Sequence, residues 1–509
     1  MDNRTVDETK RYHEVTKHSY RSVRESDHFL DWDNRPSLYK VYPDLAPIPL
    51  PRDFLAPAAD ALEAVGTLEC HEEKDLGLRE LAEILFYSAG LTKKKTFPGG
   101  EEHHFRAAAC AGALYPIEIY LVATEIAGLE AGIYHFNPAE FALRRLRSGD
   151  YRPELAGAAG DNQAIAAAPV TLVLSAIFWR SAWKYQARCY RYCFWDSGTL
   201  LANLLGVAAA EKIAGSVEMA FVDSKVNRLL GLDGVKEASL CLVPLGRTLA
   251  WAEHAKSREL PPIDYKVAPF SDHEVEYPAL QRMHAASSLA ADEEVRPWRV
   301  SLNRSEPEPR SQTLPLAAPP ERSRPLGEVI LKRGSTRRFA REAAGYGELC
   351  AILNCSTRGI PADFLEGSDT SLVDLYLIVN AVEGLEPGSY YFSPGRKSLE
   401  RLKAGAFRHE SGYLCLEQAL ASDASAVVFF LADLQRVLGR FGNRGYRAAQ
   451  LEAGITGGKL YLSAYSLGLG ASGLTFYDDD VVEFFSPHAQ GKDAIFVVAL
   501  GKSAKGLKV

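Results

Sequence analysis

The sequence contains no uninterrupted apolar stretch of about 20 residues, the length that a helix needs to cross a bilayer, so it predicts no membrane span. Residues 1–12 are polar and charged, unlike a secretory signal peptide. The net charge is −7, so no positive field favours nucleic acid. These absences predict a cytoplasmic protein whose partners are neither membranes nor nucleic acids.

Cysteine is also scarce, with eight residues in 509, and no two of them form a Cys-x-x-Cys pair. This usage argues against a disulfide scaffold or a zinc site, so we expect reduced thiols and no metal. The composition is otherwise ordinary for a globular protein, with 47% hydrophobic and 24% charged residues. The length suits about three average domains, or two of around 200 residues with linkers.

Hydrophobic periodicity gives a coarse secondary structure for the first half. A helix is predicted over 76–90, where Leu78, Leu81, Ile84 and Leu85 recur at helical spacing, and Lys93–Lys95 is predicted to be a solvated loop. Strands are predicted at 118–124, 132–136, 170–177 and 240–245, and helical patterns at 183–195 and 196–214.

Composition divides the chain into four parts. Residues 1–60 form an extension that ends in a proline-stiffened arm, and residues 61–250 form a first half. Residues 251–325 are rich in proline and polar residues, and we expect them to be a long connection over the surface. Residues 326–509 form a second half.

The second half repeats the first. The segment Leu129–Pro138 matches Leu385–Pro394 at an offset of 385 − 129 = 256. The same offset relates other matching residues across the halves, namely Tyr120 to Tyr376, Arg191 to Arg447 and Gly198 to Gly454. A constant offset over so long a stretch predicts a tandem duplication, with each copy a domain rather than a solenoid repeat.

Arg333, Ser335 and Arg337 are spaced by two near the start of the second half. In an extended segment alternate side chains leave the same side of the backbone, which would place two guanidiniums and a hydroxyl together. Each guanidinium can donate two parallel charge-assisted hydrogen bonds, so this arrangement suits a terminal phosphate. The alternative is a solvated basic loop.

Comparison of the two copies favours the phosphate site. Counting from the matched helices aligns Arg333, Ser335 and Arg337 with Val65, Thr67 and Glu69, which cannot hold a phosphate. Conversely, the small-residue loop Ala109–Gly112 aligns with the acidic segment Leu365–Asp369. Because each half has kept what the other lost, we expect one composite site at the interface between the halves.

These motifs resemble a known family. The Arg-x-Ser-x-Arg segment, the arm Thr16–Ser19, the Gly112–Pro116 segment, Lys184-Tyr185 and Gly473–Asp479 are together similar to tandem SagB/ThcOx-type dehydrogenases of the FMN-dependent nitroreductase superfamily. The resemblance implies an α+β fold, in which two nitroreductase-like domains, each a central mixed sheet flanked by helices, form an intramolecular pseudo-dimer. It also implies FMN as cofactor, and the decay of the copies predicts one FMN per chain.

The resemblance further implies roles for individual residues. Arg333, Ser335 and Arg337 would bind the FMN phosphate, whereas Cys110, Ala111 and Gly112 of the first half would line the ring. The backbone N–H groups of Ser472 and Gly473 would face the reactive part of the ring. Two remaining candidates are Gln418, which would contact the ribityl chain, and Lys502, which is either a further charge near the phosphate or a plain surface lysine.

Lys184 is the candidate base and Tyr185 its partner, which would orient substrate or relay the proton. Lys184, Arg188 and Arg191 fall at i, i+4 and i+7, on one face of a helix. Neighbouring cations and an apolar ring would favour the neutral, basic form of the lysine. The alternative is a basic surface stripe beside a packed tyrosine.

The leading function is therefore an FMN-dependent dehydrogenase, of the azoline-to-azole type, acting on a peptide or a small heterocycle. A second hypothesis is a flavin reductase for nitro compounds or quinones that uses NAD(P)H. A third is a non-catalytic flavin-binding or interaction scaffold. The fused halves supply one interface, and whether two chains also pair as a homodimer stays open.

Overall fold

The structure, a computed structural model, describes residues 2–68, 74–96, 102–248, 260–299, 302, 306–367 and 370–504. The arm and first half contain, in chain order, α1 (Asp7–Val15), α2 (Tyr20–Arg24), β1 (Pro47–Pro49), α3 (Ala61–Gly66), α4 (Leu78–Ala89), β2 (Leu91–Thr96), β3 (Glu102–Arg106), β4 (Ile117–Ala123), β5 (Gly132–Asn137), β6 (Ala142–Ser148), α5 (Arg152–Ala158), α6 (Gln163–Ala167), β7 (Val170–Ile177), α7 (Phe178–Tyr185), α8 (Cys189–Ala210), α9 (Asp223–Leu230) and β8 (Glu237–Leu245).

The connection and second half continue with α10 (Pro278–Ala286), α11 (Asp292–Trp298), β9 (Thr313–Pro315), α12 (Leu326–Lys332), β10 (Ala344–Gly345), α13 (Tyr346–Ser356), β11 (Asp374–Val379), β12 (Val382–Glu383), β13 (Gly388–Ser393), β14 (Ser398–Ala404), α14 (Arg408–Leu414), α15 (Ala419–Asp423), β15 (Ala426–Ala432), α16 (Leu434–Phe441), α17 (Arg444–Ser466), β16 (Gly470–Gly473), α18 (Asp478–Phe485) and β17 (Asp493–Gly501).

Each half is built on one antiparallel sheet with helices packed against it. The strand order is β1-β6-β5-β4-β7-β8 in the first half and β16-β17-β15-β11-β13-β14-β9 in the second. The register repeats as well, since Tyr120 pairs with His135 on β5 and Tyr376 pairs with Tyr391 on β13. The predicted α+β fold and tandem duplication are therefore confirmed, whereas the predicted mixed sheet is wrong, because the strand pairings of both main sheets are antiparallel throughout the described residues.

Most predicted elements of the first half lie where the periodicity placed them, and β7 has the predicted bounds. Two differ. Lys93–Lys95 is not a loop, because it lies in β2, which pairs with β3 in a separate hairpin whose lysines face solvent. The helical pattern from 183 onward breaks at Gln186, where φ is 48°, so α7 and α8 are distinct helices.

The two halves meet where the long helices α8 and α17 cross. A Cβ atom built on Gly198 would lie 2.4 Å from the carbonyl carbon of Gly454, and one built on Gly454 would lie 2.7 Å from the carbonyl oxygen of Trp195. Only glycine allows backbones to approach this closely. The matched pair found in the sequence thus marks the axis of the pseudo-dimer.

Among the described residues one helical stretch, Phe178–Ala210, is long and apolar enough to cross a membrane. Of its most apolar window, 83% is buried inside the protein. Core helices of this kind pass the same test of length and composition, and the position of α8 between the two halves accounts for its apolar character.

Two buried ion clusters join the halves symmetrically. Arg188 and Arg191 of the first half donate to the Asp478 carboxylate of the second, at 3.0 and 2.6 Å. Burial alone would raise the pKa of Asp478, but the two guanidiniums lower it to about 2. In the reciprocal cluster, Arg444 and Arg447 donate to the Asp223 carboxylate at 2.6 and 2.8 Å.

The connection between the halves repeats the N-terminal arm. The backbone oxygen of His13, on α1, accepts a hydrogen bond of 2.8 Å from Arg191, and that of His284, on α10, accepts one of 2.7 Å from Arg447. The arm supplies β1 to the edge of one sheet, and the connection supplies β9 to the edge of the other. The duplicated unit therefore includes a lead-in segment as well as each domain.

This equivalence changes the expected course of residues 251–325. We expected a surface connection, yet α10 and α11 bury Met283 and Trp298 completely. His284, on the same helix as Met283, is 5% exposed. Helix α10 lies in the core because it completes the Asp223 cluster, in which Arg444 and Arg447 need hydrogen-bond acceptors besides the carboxylate.

We predict that Gly198→Ala destabilises the protein by about 2–3 kcal/mol, because the new methyl group overlaps the α17 backbone, which cannot move without parting the helices. Gly439→Ala is the matched control, since a Cβ on Gly439 in α16 meets nothing within 4 Å. Calorimetric unfolding measures both variants, and an equal melting temperature for the two would contradict the close crossing.

We predict that Asp478→Asn lowers the free energy of unfolding by about 3–5 kcal/mol at neutral pH, because it leaves two buried guanidiniums without their anion. The folded-state pKa of about 2 is below the ordinary aspartate value, so this carboxylate stabilises the fold above about pH 4. The stabilisation is lost as the pH falls through 2. The difference from wild type should therefore shrink between pH 4 and 2, and a pH-independent difference would contradict the ion pair.

Candidate functional site

Arg333 contacts the small-residue loop across the interface. Its Nε and Nη2 atoms donate to the carbonyl oxygen of Ala107 at 3.0 and 2.8 Å, and its ring neighbour is Tyr461, 6.0 Å from the guanidinium carbon. The contact lies two residues before the Ala109–Gly112 loop, so the two segments that the sequence assigned to one composite site are close together. One edge of the Arg333 guanidinium binds the first half. Arg333 therefore also joins the halves and does not serve a phosphate alone.

Tyr461 of α17 organises the second-half side of the site. Its hydroxyl lies 3.3 Å from the Ser335 hydroxyl and accepts a hydrogen bond from the Gly473 backbone N–H. The N–H of Thr336 donates to the carbonyl oxygen of Ala471 at 2.9 Å. The Arg333–Arg337 segment is thus fixed to β16, with Ser335 half-buried and Arg337 exposed.

The predicted role of β16 differs from the structure in one respect. We expected the N–H groups of Ser472 and Gly473 to be free for a flavin, but the Gly473 N–H is used by Tyr461. Ser472 is buried within β16, opposite Ala499 of β17. The Gly473 amide is therefore occupied by the hydroxyl of Tyr461, which belongs to the neighbouring helix α17.

Asp196 of α8 fixes the loop Cys110–Gly112 by accepting two hydrogen bonds from it. The N–H of Ala111 donates to Asp196 Oδ1 at 2.8 Å and the Cys110 thiol donates to Oδ2 at 3.1 Å. Burial raises the pKa of the Asp196 carboxyl, and these two donors only partly offset it, giving a value of about 7. Burial likewise raises the pKa of the Cys110 thiol, so this group is a hydrogen-bond donor and not a nucleophile.

Tyr185 lies over the end of this loop. Gly112 has φ of 62°, and a Cβ atom there would lie 2.9 Å from the Tyr185 hydroxyl. The Tyr185 ring stacks on Tyr192 with centroids 4.1 Å apart and planes 7° apart. Burial raises the pKa of Tyr185 well above its ordinary value, so the hydroxyl keeps its proton. The absence of a side chain at Gly112 makes room for the Tyr185 hydroxyl, so the tyrosine packs directly on the loop backbone.

Lys184 is half-buried, and its side chain makes no hydrogen bond or ion pair within the described part of the chain. Its ammonium lies 5.5 Å from the Tyr185 ring centre. Burial lowers the pKa of Lys184, and the positive charges of Arg337 and Arg35 lower it further. The positive charges of a second-half arginine and of an arm arginine thus both act on this first-half lysine.

The predicted stripe of Lys184, Arg188 and Arg191 does not exist. The break at Gln186 separates Lys184 from α8, and both arginines are turned into the buried Asp478 cluster. The cations that influence Lys184 come instead from other parts of the chain, because the fold brings Arg35 and Arg337 to the end of α7.

Two other predicted residues lie apart from these contacts. The Gln418 side chain donates to the carbonyl oxygen of Cys415 at 2.8 Å and so closes its own turn. The Lys502 ammonium is 3.9 Å from Glu342, which agrees with the surface-lysine alternative. A ribityl contact for Gln418 and a phosphate contact for Lys502 stay predictions.

The structure also corrects the alignment of the loop with its twin. Leu372 donates its N–H to Glu452 at 2.8 Å, and the Ser371 hydroxyl donates to the same carboxylate, as Ala111 and Cys110 do to Asp196. The offset is again 452 − 196 = 256. The twin of the loop is therefore Ser371-Leu372 and not Leu365–Asp369; of that segment, residues 368 and 369 lie outside the described residues.

The twin of Arg333 is likewise displaced. Ala61 donates its N–H to the Arg324 oxygen at 3.1 Å, and Leu326 donates to the Ala59 oxygen at 2.9 Å, a symmetric pair with an offset of 326 − 61 = 265. This offset places Leu68, and not Val65, opposite Arg333. Glu69 and its neighbours to residue 73 lie outside the described residues. The sequence from 65 to 73 contains no arginine in either alignment.

Sequence reasoning missed three contributors: Tyr461, Asp196 and Arg35. Tyr461 and Tyr465 stand four apart in a helix and meet Ser335 and Thr336, a spacing that could have indicated a common face. Asp196 follows an aromatic run in α8 and could have been found as an acid within an otherwise apolar helix. No local pattern distinguishes Arg35.

The residues present fit FMN by the chemistry of their donors. Arg337 is exposed and makes no side-chain ion pair in the described ranges, and Ser335 offers a hydroxyl two residues away on the same segment. No group of three or more His, Cys, Asp or Glu residues that could hold a metal occurs among the described residues.

The sequence profile of the Nitroreductase family matches residues 75–247 and 367–502, one segment in each half. The chain belongs to this family, and as such it is an oxidoreductase. The predicted superfamily is therefore confirmed. Members of the family typically bind FMN.

Individual relatives agree with this assignment. A nitroreductase-like protein of Methanocaldococcus jannaschii, MJ1384, is 32% identical over 174 residues, which cover 34% of this chain and 82% of the relative. The microcin B17-processing protein McbC of Escherichia coli is 31% identical over 130 residues, covering 24% of this chain and 47% of McbC. The chain thus spans about half the length of McbC.

One solved structure matches almost the entire chain. A nitroreductase-family protein from Anabaena variabilis superposes with a TM-score of 0.78 and 26% identity, covering 98% of this chain and 99% of the other. The arm, both halves and the connection are therefore shared with that protein.

Proposed function

We propose that this protein is an FMN-dependent dehydrogenase that binds one FMN per chain between its halves and oxidises an azoline or a similar small heterocycle, free or within a peptide. The observation that carries the proposal is the contact of Arg333 in the second half with the Ala107 oxygen of the first, which brings the phosphate motif beside the small-residue loop. The similarity to a microcin B17-processing protein supports a peptide substrate.

The phosphate end of the flavin is assigned to Arg337, Ser335 and the remaining edge of Arg333. Charge-assisted bonds from guanidiniums to phosphate are strong and directional. Tyr461 orients Ser335 through its hydroxyl, so the segment needs little rearrangement to receive the ligand. The loop over Asp196 is assigned to the ring.

FMN, when bound, supplies the hydride chemistry of the reaction. Lys184 accepts the substrate proton, because burial lowers its pKa and favours the neutral amine. Tyr185 keeps its own proton and donates a hydrogen bond that orients the substrate. Asp196 holds the loop backbone in place from below.

A reductase that takes electrons from NAD(P)H is the second candidate, favoured by the family to which the chain belongs. The two functions differ in which compound reduces the flavin. Anaerobic addition of NAD(P)H to the FMN-loaded protein separates them, since rapid bleaching of the flavin supports the reductase and a stable yellow colour supports the dehydrogenase.

A cytoplasmic location fits the seven described cysteines, which are all free thiols.

We predict that a saturated sample releases one FMN per chain on denaturation. A cavity of about 590 Å³ borders Ser371 and Glu452 at the mirror position, so space alone does not prevent a second flavin. Residues 65–73 contain no arginine, so a phosphate there would lack the pair of guanidiniums that Arg333 and Arg337 supply, and Arg358 is, among the described residues, the one arginine that lines the cavity. A ratio near two would overturn the single composite site.

We predict that Arg337→Ala weakens FMN binding at least about tenfold, the loss of one charge-assisted pair, and weakens riboflavin binding much less. The neighbouring exposed residue offers a control, Arg338→Ala, which should leave both affinities unchanged. Equilibrium dialysis with each flavin measures the difference. Equal loss of FMN and riboflavin would assign Arg337 to folding rather than to the phosphate.

We predict that Lys184→Ala retains FMN but slows flavin reduction by a thiazoline-containing peptide about 100-fold, the usual effect of a positioned base. In the wild type the rate should rise with pH through a pKa below the ordinary lysine value, because the amine must be neutral to act. The control is Lys93→Ala, on the exposed β2 hairpin. An unchanged single-turnover rate in Lys184→Ala would reduce this lysine to a surface residue.

A further inference from the structure

Part of the N-terminal arm is attached at both ends to elements of the interface. We name residues 18–35 the strap. At one end the His18 N–H donates to Asp478 at 2.8 Å, and at the other Trp183 donates its indole N–H to the Asp31 oxygen at 2.8 Å. The strap thus joins the second half to the helix that carries Lys184.

The end of the strap beside Lys184 presents an aromatic face and a cation. Trp32 packs edge-on against Trp183 with ring centres 5.2 Å apart, and 63% of its surface stays exposed. The Arg35 guanidinium lies 5.8 Å from the Trp32 ring centre. Its side chain makes no hydrogen bond or ion pair among the residues that the structure describes.

The charges of the residues around the site leave Arg35 without a counterion even when FMN is bound. A phosphate monoester carries a charge of about −1.5 to −2 near neutral pH, which Arg333 and Arg337 balance. Lys184 is needed in its neutral form to accept a proton. Arg35 then remains a positive group next to an exposed indole, at the ring end of the site, because Tyr185 and Gly112 place Lys184 there.

We propose that Arg35 binds a carboxylate of the substrate while Trp32 stacks on its planar ring, so that the protein selects acidic, flat substrates. This inference rests on the proposed function, whose substrate class it narrows. An arginine can donate two parallel hydrogen bonds to a carboxylate, and an indole face suits a conjugated ring. Arg35 is a specificity-determining residue in this assignment and takes no part in proton transfer.

The oxyanion on Arg35 has two conceivable sources, the substrate carboxylate and the FMN phosphate, and both are bound through the same guanidinium chemistry. The position favours the substrate. Arg35 adjoins the exposed Trp32 ring, which can stack on a planar substrate and offers nothing to a phosphate. The affinities of Arg35→Gln for FMN and for riboflavin separate these two sources, because only FMN carries the phosphate.

The test uses benzoate and its neutral isostere benzamide as probes of the full-length protein, titrated calorimetrically after its FMN content has been measured. We expect benzoate to bind at least about fivefold more tightly than benzamide. Arg35→Gln should remove this preference and leave benzamide binding and the FMN and riboflavin affinities unchanged. Arg21→Gln is the matched control, an exposed strap arginine paired with Glu25.

Each outcome decides the proposal. Equal affinities for benzoate and benzamide in the wild type, or a preference that survives Arg35→Gln, would overturn it. A loss of FMN affinity without a loss of riboflavin affinity in Arg35→Gln would assign this arginine to the phosphate and also overturn it. A protein that binds no FMN would contradict the proposed function alone, since the calorimetric titration needs no flavin.

Discussion

The carboxylates of Asp478 and Asp223 hold this protein together across its internal two-fold axis. Each belongs to one half and is fully paired with two arginines of the other, so neither half can bury its own charges alone. A buried carboxylate without such partners would carry a severe desolvation penalty. The halves are therefore obliged to associate, and the glycine crossing of α8 and α17 sets how closely they do so.

This symmetric frame creates two equivalent interface positions, which the sequence has filled unequally. At one position Arg333, Ser335 and Arg337 face the loop above Asp196. At the other, the twin of Arg333 is Leu68, while Glu452 still holds the equivalent loop. The structural contacts of the second position are preserved because the fold needs them, whereas its anion-binding groups were free to disappear.

The constant offset in the sequence reveals the duplication, but it does not reveal where one copy has residues inserted relative to the other. The offset of 256 holds for strands and long helices because their lengths are set by the sheet, as the pairs Tyr120–His135 and Tyr376–Tyr391 illustrate. It fails at the loops, where insertions leave no periodic trace. For that reason the position of Leu68 follows only from the hydrogen bonds of Ala61 and Leu326, and that of Ser371 from its own bond to Glu452. The relation between α1 and α10 was invisible for a similar reason, since backbone oxygens carry the contacts to Arg191 and Arg447.

The sequence by itself determined most of the elements, the tandem α+β architecture, the family, and the absence of arginine from residues 65–73. These follow from hydrophobic periodicity and residue chemistry, which are local or depend on simple repetition. Only the tertiary structure decided which cations meet. Arg188 and Arg191 are adjacent to Lys184 in sequence yet lie in the Asp478 cluster, because the chain turns at Gln186. Arg35 and Arg337 are distant in sequence yet reach Lys184, because the strap and the second half fold back over the end of α7.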